Sequence, residues 1–224
     1  MSMLSNLDLI RRVPLFSMLT PLQAESLVES VSKKRLKRGE ILVEQGEKRN
    51  ALYIILAGRT RVVMADSKGR EVILATLRAG DYVGEMSLVD GEPHSATVVA
   101  DQQVDVLILG REDFLRCLSE NSAISFAMIH ELVQRLRRAS QKISSLALMG
   151  VYGRVATVLL ESTVADEHDV LLIREKVSRQ DIAKMVGASR EMVSRVMKDF
   201  EEQGFIQSME GGIVRVFERR MLPR

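Results

Sequence analysis

The spacing of apolar residues changes period several times along the chain. From Leu7 to Val31 short helical signals alternate with a proline break: VPLFSML, then PLQAESLVESV, with Thr20 placed to cap that helix and Pro21 at its first position. The basic run KKRLKR that follows reads as solvated surface charge with no assigned role. From Gly39 to Leu109 the pattern turns β-rich, in the short runs ILVEQ, ALYIILAG, RTRVVMAD, REVILATL, DYVGEM, SATVVAD and QVDVLIL. Eight of the 14 glycines, at 39, 46, 58, 69, 80, 84, 91 and 110, fall at or near the breaks, where positive φ or a tight turn is needed. Many short strands of this kind predict a double-sheet jelly roll.

Helical periodicity returns from Ser122 to Met149. Ile129, Leu132, Leu136, Ala139, Ile143 and Leu146 recur at alternating spacings of three and four, which is a coiled-coil seam. The pattern pauses at MGVYG, so Gly150 to Gly153 is the expected hinge, and RVATVLLES resumes it. Ser178 to Phe200, SRQDIAKMVGASREMVSRVMKDF, predicts two short helices joined by a tight turn. Ser178 caps the first, with Asp181 as a capping-box partner; Gly187 ends it, and Ser189 caps the second. On that second helix Val193, Val196, Met197 and Phe200 form the buried stripe, leaving Arg190, Glu191, Ser194, Arg195 and Lys198 opposite. The last apolar stretch, FIQSMEGGIVRVF, predicts two strands around Glu210, Gly211 and Gly212, a hairpin wing.

Composition narrows the possibilities. With 46% hydrophobic residues but no Trp, the cores must rest on Leu, Ile, Val and Met, and 224 residues suit two modest domains. The single Cys117 excludes an internal disulfide and any four-thiolate metal or iron–sulfur site; in EDFLRCL it reads as a buried structural thiol. The first ten residues carry no signal-peptide pattern and no stretch is long enough to cross a bilayer, so a cytoplasmic protein without membrane partners is expected. A net charge of +2 does not by itself imply a polyanion, and residues 150 to 224 hold 12 cations and 12 carboxylates. The helix pair is locally basic: Arg179, Lys184, Arg190, Arg195 and Lys198 stand against Asp181 and Glu191, a net +3. Arginine can give two hydrogen bonds to a guanine edge and glutamate can accept from cytosine. The candidate contacts to double-stranded DNA are therefore Ser178, Arg179, Gln180, Ser189, Arg190, Glu191, Ser194, Arg195 and Lys198.

The string R-Q-D-I-A-x-x-V-G-x-S-R-E-x-V-x-R closely resembles the helix-turn-helix of the CRP/FNR family of bacterial transcription regulators. A second stretch, Gly80 to Leu88 and then Pro93 to Thr97, looks like the phosphate-binding cassette of cyclic-nucleotide-binding domains. The resemblance implies an α+β chain: a sensor domain of cyclic-nucleotide-binding type at 1–121, a dimerisation helix at 122–149 and a winged helix-turn-helix at 150–224. It also implies a homodimer that works with RNA polymerase. Within the cassette a ribose hydroxyl wants the carboxylate of Glu85, and a cyclic phosphate wants backbone N–H groups, a hydroxyl such as Ser95 and a fixed cation. The candidate effector pocket comprises Gly84, Glu85, His94, Ser95, Ala139 and Ser140.

Two of these depart from the family's cyclic-AMP-responsive members, which carry Arg where this chain has His94 and Thr where it has Ala139. Histidine lacks the planar fork of donors and is mostly neutral near pH 7, which weighs against cyclic AMP. A cyclic dinucleotide such as cyclic di-GMP, or no ligand at all, are the alternatives. The expected activity is effector-controlled reading of a TGTGA-like palindrome, without enzymatic chemistry. A remote alternative is a cupin-type metalloenzyme, but His94, His130 and His168 lie in different segments and only His94 falls in the β region, so no metal is expected.

Overall fold

A computed structural model describes residues 7, 10, 13–17, 19–175 and 177–217, grouped into two compact units, Met1–Leu136 and Arg137–Arg224. The reading of the first ten residues falls almost wholly outside the described ones. In the first unit helix α1 (Pro21–Ser30) begins as expected. Thr20 Oγ1 accepts from the Gln23 backbone, and Gln23 Oε1 accepts the Thr20 N–H at 3.0 Å, which closes a capping box.

Eight strands follow: β1 (Val31–Leu36), β2 (Ile41–Val43), β3 (Ala51–Ala57), β4 (Arg59–Ala65), β5 (Glu71–Arg78), β6 (Tyr82–Val83), β7 (Thr97–Ala100) and β8 (Val104–Gly110). They form two antiparallel sheets, in the orders β1-β8-β3-β6 and β2-β7-β4-β5. The jelly roll is thus present. Strand β3 shows why ALYIILA is almost continuously apolar: Leu52 and Ile54 enter a core shared with the helices, while Tyr53 and Ile55 enter the core between the sheets. Losing one such fully buried Leu to Ala costs about 2–5 kcal/mol.

Three readings are refined here. The cations of KKRLKR are exposed as expected, but Val31–Leu36 is also strand β1, paired with β8 from Val31↔Leu109 to Leu36↔Val104. Its middle residues are exposed and it ends its sheet, so a strand lacks the usual alternation. DYVGEM is a strand only at Tyr82–Val83; helix α2 (Glu85–Asp90) starts directly after Gly84. Of the eight glycines, Gly110 alone does not have positive φ; it is extended and serves as N-cap of α3 (Arg111–Glu120). Cys117 on α3 is half-buried, packs against the helical core, and its thiol pKa is pushed up by burial.

Asn121 separates α3 from the 27-residue α4 (Ser122–Leu148), its Oδ1 accepting from Ala123 N at 3.0 Å and Ile124 N at 3.3 Å. Of the seam positions, Ile129, Leu136, Ile143 and Leu146 are exposed in the single chain.

The second unit contains α5 (Val151–Glu161), β9 (Val164–Ala165), β10 (Leu171–Ile173), α6 (Arg179–Val186), α7 (Arg190–Glu202), β11 (Ile206–Ser208) and β12 (Val214–Val216). Its sheet has the order β11-β12-β10-β9. The break after α4 falls at Met149 and Gly150, which N-caps α5, whereas Gly153 lies inside that helix, so the expected four-residue hinge is narrower than its sequence suggested. The β9–β10 hairpin had no counterpart in the sequence reading. Val155, Leu159, Ile182, Val186, Val193, Val196 and Phe200 form the core that seats α6 and α7.

Candidate functional site

The paired helices α6 and α7 are positioned by local chemistry. Ser178 Oγ accepts from Asp181 N at 3.0 Å, and its hydroxyl donates to Asp181 Oδ2 at 2.7 Å, so the carboxylate meets the capping hydroxyl itself. Gly187 takes the left-handed conformation (φ 63°, ψ 48°) that ends α6 and lets the chain turn within two residues. Ser189 then caps α7 by accepting from Met192 N at 3.2 Å. The buried stripe of α7 is Val193, Val196 and Phe200, with Met197 partly buried against it.

What this arrangement leaves outside is polar. Ser178, Arg179, Gln180, Ser189, Arg190, Glu191, Arg195 and Lys198 are exposed, and Ser194 is half-buried. Arg190 and Arg195 have no ion pair among the described residues, while Lys198 pairs with Glu202 at 3.5 Å. Hydrogen bonds from its own backbone N–H and the Ser189 hydroxyl, and the Arg190 charge, hold the Glu191 carboxyl below its usual range. A helix whose first two turns offer two exposed guanidiniums and an ionised carboxylate can present donors and an acceptor to base edges, as a major-groove helix must. The wing is formed by β11 and β12, joined through Glu210–Gly212, with Met209 N donating to Ile213 O at 2.8 Å.

The cassette residues of the first unit gather around α2. Gly84 sits at φ 100°, and a Cβ there would lie 2.5 Å from Ala51 O, so only glycine lets α2 begin against β3. Glu85, the first residue of α2, is 3% exposed. Its Oε1 accepts from Arg135 Nη1 at 2.8 Å, and Arg135 Nη2 donates to Tyr82 O, also at 2.8 Å. The guanidinium carbon stands 4.6 Å above the Tyr82 ring. Burial pushes the Glu85 carboxyl pKa up, against the lowering effect of Arg135. Burial likewise drives the Tyr82 phenol up to about 12.

His94 is 6% exposed, its Nδ1 3.0 Å from Ser87 Oγ. Its backbone is pinned as well, accepting from Gly46 N at 2.8 Å and donating to Glu47 O at 2.9 Å. Burial, helped by Arg49 and opposed by Glu47, holds its pKa below the ordinary histidine value. Glu85 Oε2, Tyr82 Oη and His94 Nε2 are all buried without a hydrogen-bond partner among the described residues. Ser95 is exposed beside His94, and Ala139 and Ser140 are exposed positions of α4 within the second unit.

Sequence reasoning missed Arg135 and Ser87. Arg135 faces a partner 50 residues away and is one of three arginines in the run QRLRR, which does not single it out; Ser87 is invisible until α2 places it beside His94. Among the described residues no group of three or more His, Cys, Asp or Glu could hold a metal ion, and no helix is long and apolar enough to cross a membrane.

Comparison with known proteins identifies both domains. Residues 33–121 match the cyclic nucleotide-binding domain and residues 153–223 the Crp-like helix-turn-helix domain. The chain is 34% identical over 184 residues to the cAMP-activated global transcriptional regulator CRP of Salmonella typhimurium, covering 80% of this chain and 86% of that one. It is 30% identical over 204 residues to the cAMP-activated global transcriptional regulator Vfr of Pseudomonas aeruginosa, covering 88% and 94%. In fold it is similar to the c-di-GMP responsive global regulator CLP of Xanthomonas campestris, with a TM-score of 0.76 at 23% identity over 88% of this chain and 99% of that one. With a cyclic nucleotide-binding domain followed by a Crp-like helix-turn-helix, and with relatives of this identity and coverage, the chain belongs to the CRP/FNR family of bacterial transcription regulators.

Proposed function

We propose that this chain is a homodimeric, cytoplasmic, non-enzymatic regulator that reads a palindrome of the type TGTGA-N6-TCACA. In this reading residues 1–121 sense an effector, 122–149 dimerise through the α4 seam, and 150–224 bind DNA and act with RNA polymerase. The observation that carries it is α7 itself, capped by Ser189 and seated by an apolar stripe, with Arg190 and Arg195 exposed and without an ion pair among the described residues. Exposure of Ile129, Leu136, Ile143 and Leu146 supports a second copy along α4, and two copies place two reading helices on a symmetric site. The remaining contacts come from Ser178, Arg179, Gln180, Ser189, Glu191, Ser194 and Lys198.

For the effector, the cassette fits one half of a cyclic nucleotide better than the other. Glu85 Oε2 is a buried acceptor in want of a donor, which a sugar hydroxyl supplies, and Gly84 starts a helix beside it. A cyclic phosphate wants a cation, and His94 is buried, held toward its neutral form and bonded to Ser87. That bond favours a second reading, in which the regulator works without ligand because His94 is already engaged by Ser87 and offers no cation.

Titration of a fluorescent TGTGA palindrome at fixed salt, with cyclic AMP, cyclic GMP, cyclic di-GMP and no addition, tests both parts. Specific binding should exceed that to scrambled DNA, and Arg190→Ala should cost about 1–3 kcal/mol on the palindrome. Equal affinity for palindrome and scramble would refute the target, and operator binding indifferent to every nucleotide would favour the second reading.

A further inference from the structure

On α7, Asp199 follows Arg195 by four positions, so the two side chains leave the same helix face one turn apart. A carboxylate left to itself there draws the guanidinium into an ion pair, as Glu202 does to Lys198 on the same helix. Asp199 is engaged otherwise: the Tyr152 hydroxyl, from the first turn of α5, donates to its Oδ2. The Tyr152 ring is set for this by edge-on packing against Phe200, centroids 5.9 Å apart at 75°. Tyr152 is 45% exposed, so its hydroxyl spends its bond on Asp199 where water was available. Arg195 meanwhile is exposed and without an ion pair among the described residues, yet near enough to the Tyr152 hydroxyl to oppose the upward pKa shift that the Asp199 hydrogen bond imposes.

We infer that Tyr152 is a positioning residue for DNA readout: it occupies the Asp199 carboxylate and thereby leaves the Arg195 guanidinium to the DNA. The inference rests on the reading of α7 as the recognition helix. It predicts opposite signs for the two halves of one hydrogen bond. Tyr152→Phe keeps the ring on Phe200 but frees the carboxylate to compete for Arg195. Asp199→Asn removes the competitor along with the bond.

The test uses the full chain and an operator that the wild type itself selects from random duplexes, with affinity read by fluorescence anisotropy at fixed salt and thermal midpoints recorded alongside. Tyr152→Phe should bind about twofold more weakly per reading helix, hence about fourfold on a site read by two, from the strength of an exposed i,i+4 pair. Asp199→Asn should bind at least as tightly as wild type, and the double variant should match Asp199→Asn. A Tyr152→Phe protein with unchanged affinity overturns the inference. So does an Asp199→Asn protein weakened as much as Tyr152→Phe, since a bond that merely braces α5 against α7 fails equally from either end. Should Tyr152→Phe not fold, the sign for Asp199→Asn decides alone. Failure of the wild type to select any operator overturns the recognition-helix reading itself, and is seen before any variant is compared.

Discussion

Replacing Arg135 with methionine removes the cation that makes Glu85 tolerable in the first unit. The pair is 2.8 Å apart with the carboxylate side chain 4% exposed and the guanidinium 28%. At an effective dielectric of about 20, attraction at this distance is about 6 kcal/mol. Desolvation of both groups cancels part of that, and breaking a buried pair from one side costs about 3–5 kcal/mol. The sign with pH follows from the native pKa of Glu85, which burial raises above its unfolded value even with Arg135 present. A carboxyl shifted this way favours the folded state in acid and loses that contribution as pH rises through the native pKa; without Arg135 the shift is larger. The deficit of Arg135→Met should therefore be largest at pH 8 and shrink toward pH 5. Urea titrations followed by far-UV circular dichroism measure it. Glu85→Gln combined with Arg135→Met should recover much of the loss at pH 8. Equal deficits at both pH values, or a double variant no better than the single one, would refute the reasoning and assign the loss to α4 packing.

Three further outcomes are expected. Gly84→Ala must place a Cβ 2.5 Å from Ala51 O at φ 100°, so it should cost at least about 2 kcal/mol in the same titration. His94 has its native pKa below the ordinary 6.5, so wild-type stability should fall as pH drops through about 6.5 and the unfolded chain takes up the proton; His94→Gln should flatten that dependence between pH 7.5 and 5. Ile143→Glu puts a charge on an exposed seam position, and sedimentation should show a dimer reduced to a monomer while circular dichroism stays unchanged.

How far the chain could be read without coordinates depended on how local each feature is. The reading helices were legible because Ser178, Gly187 and Ser189 act within four residues of where they stand. The roll was legible from glycine-punctuated apolar runs, except where burial was unusual. Strand β1 carries a mostly exposed basic face, and β9 and β10 are two and three residues long, too short for a period to register. The cassette was half legible. Glu85 and His94 could be named from their surroundings in the chain, but Arg135 and Ser87 become partners only through contacts 50 and seven residues away in sequence. The coupling of Tyr152 to Asp199 spans 47 residues and lay equally beyond reach.

The lysines of β1 have a consequence at the scale of the crowded cell. An open jelly roll ends in a row of uncovered backbone groups, which is a template on which any extended chain can add itself. Here that border carries Lys33 and Lys34 outward, while Arg35 pairs with Asp105 of β8. A foreign strand docking there meets concentrated positive charge, and a second copy of the same border meets its own repulsion. That border is thereby disfavoured as a seat for added strands, which steers association toward surfaces where apolar side chains invite it.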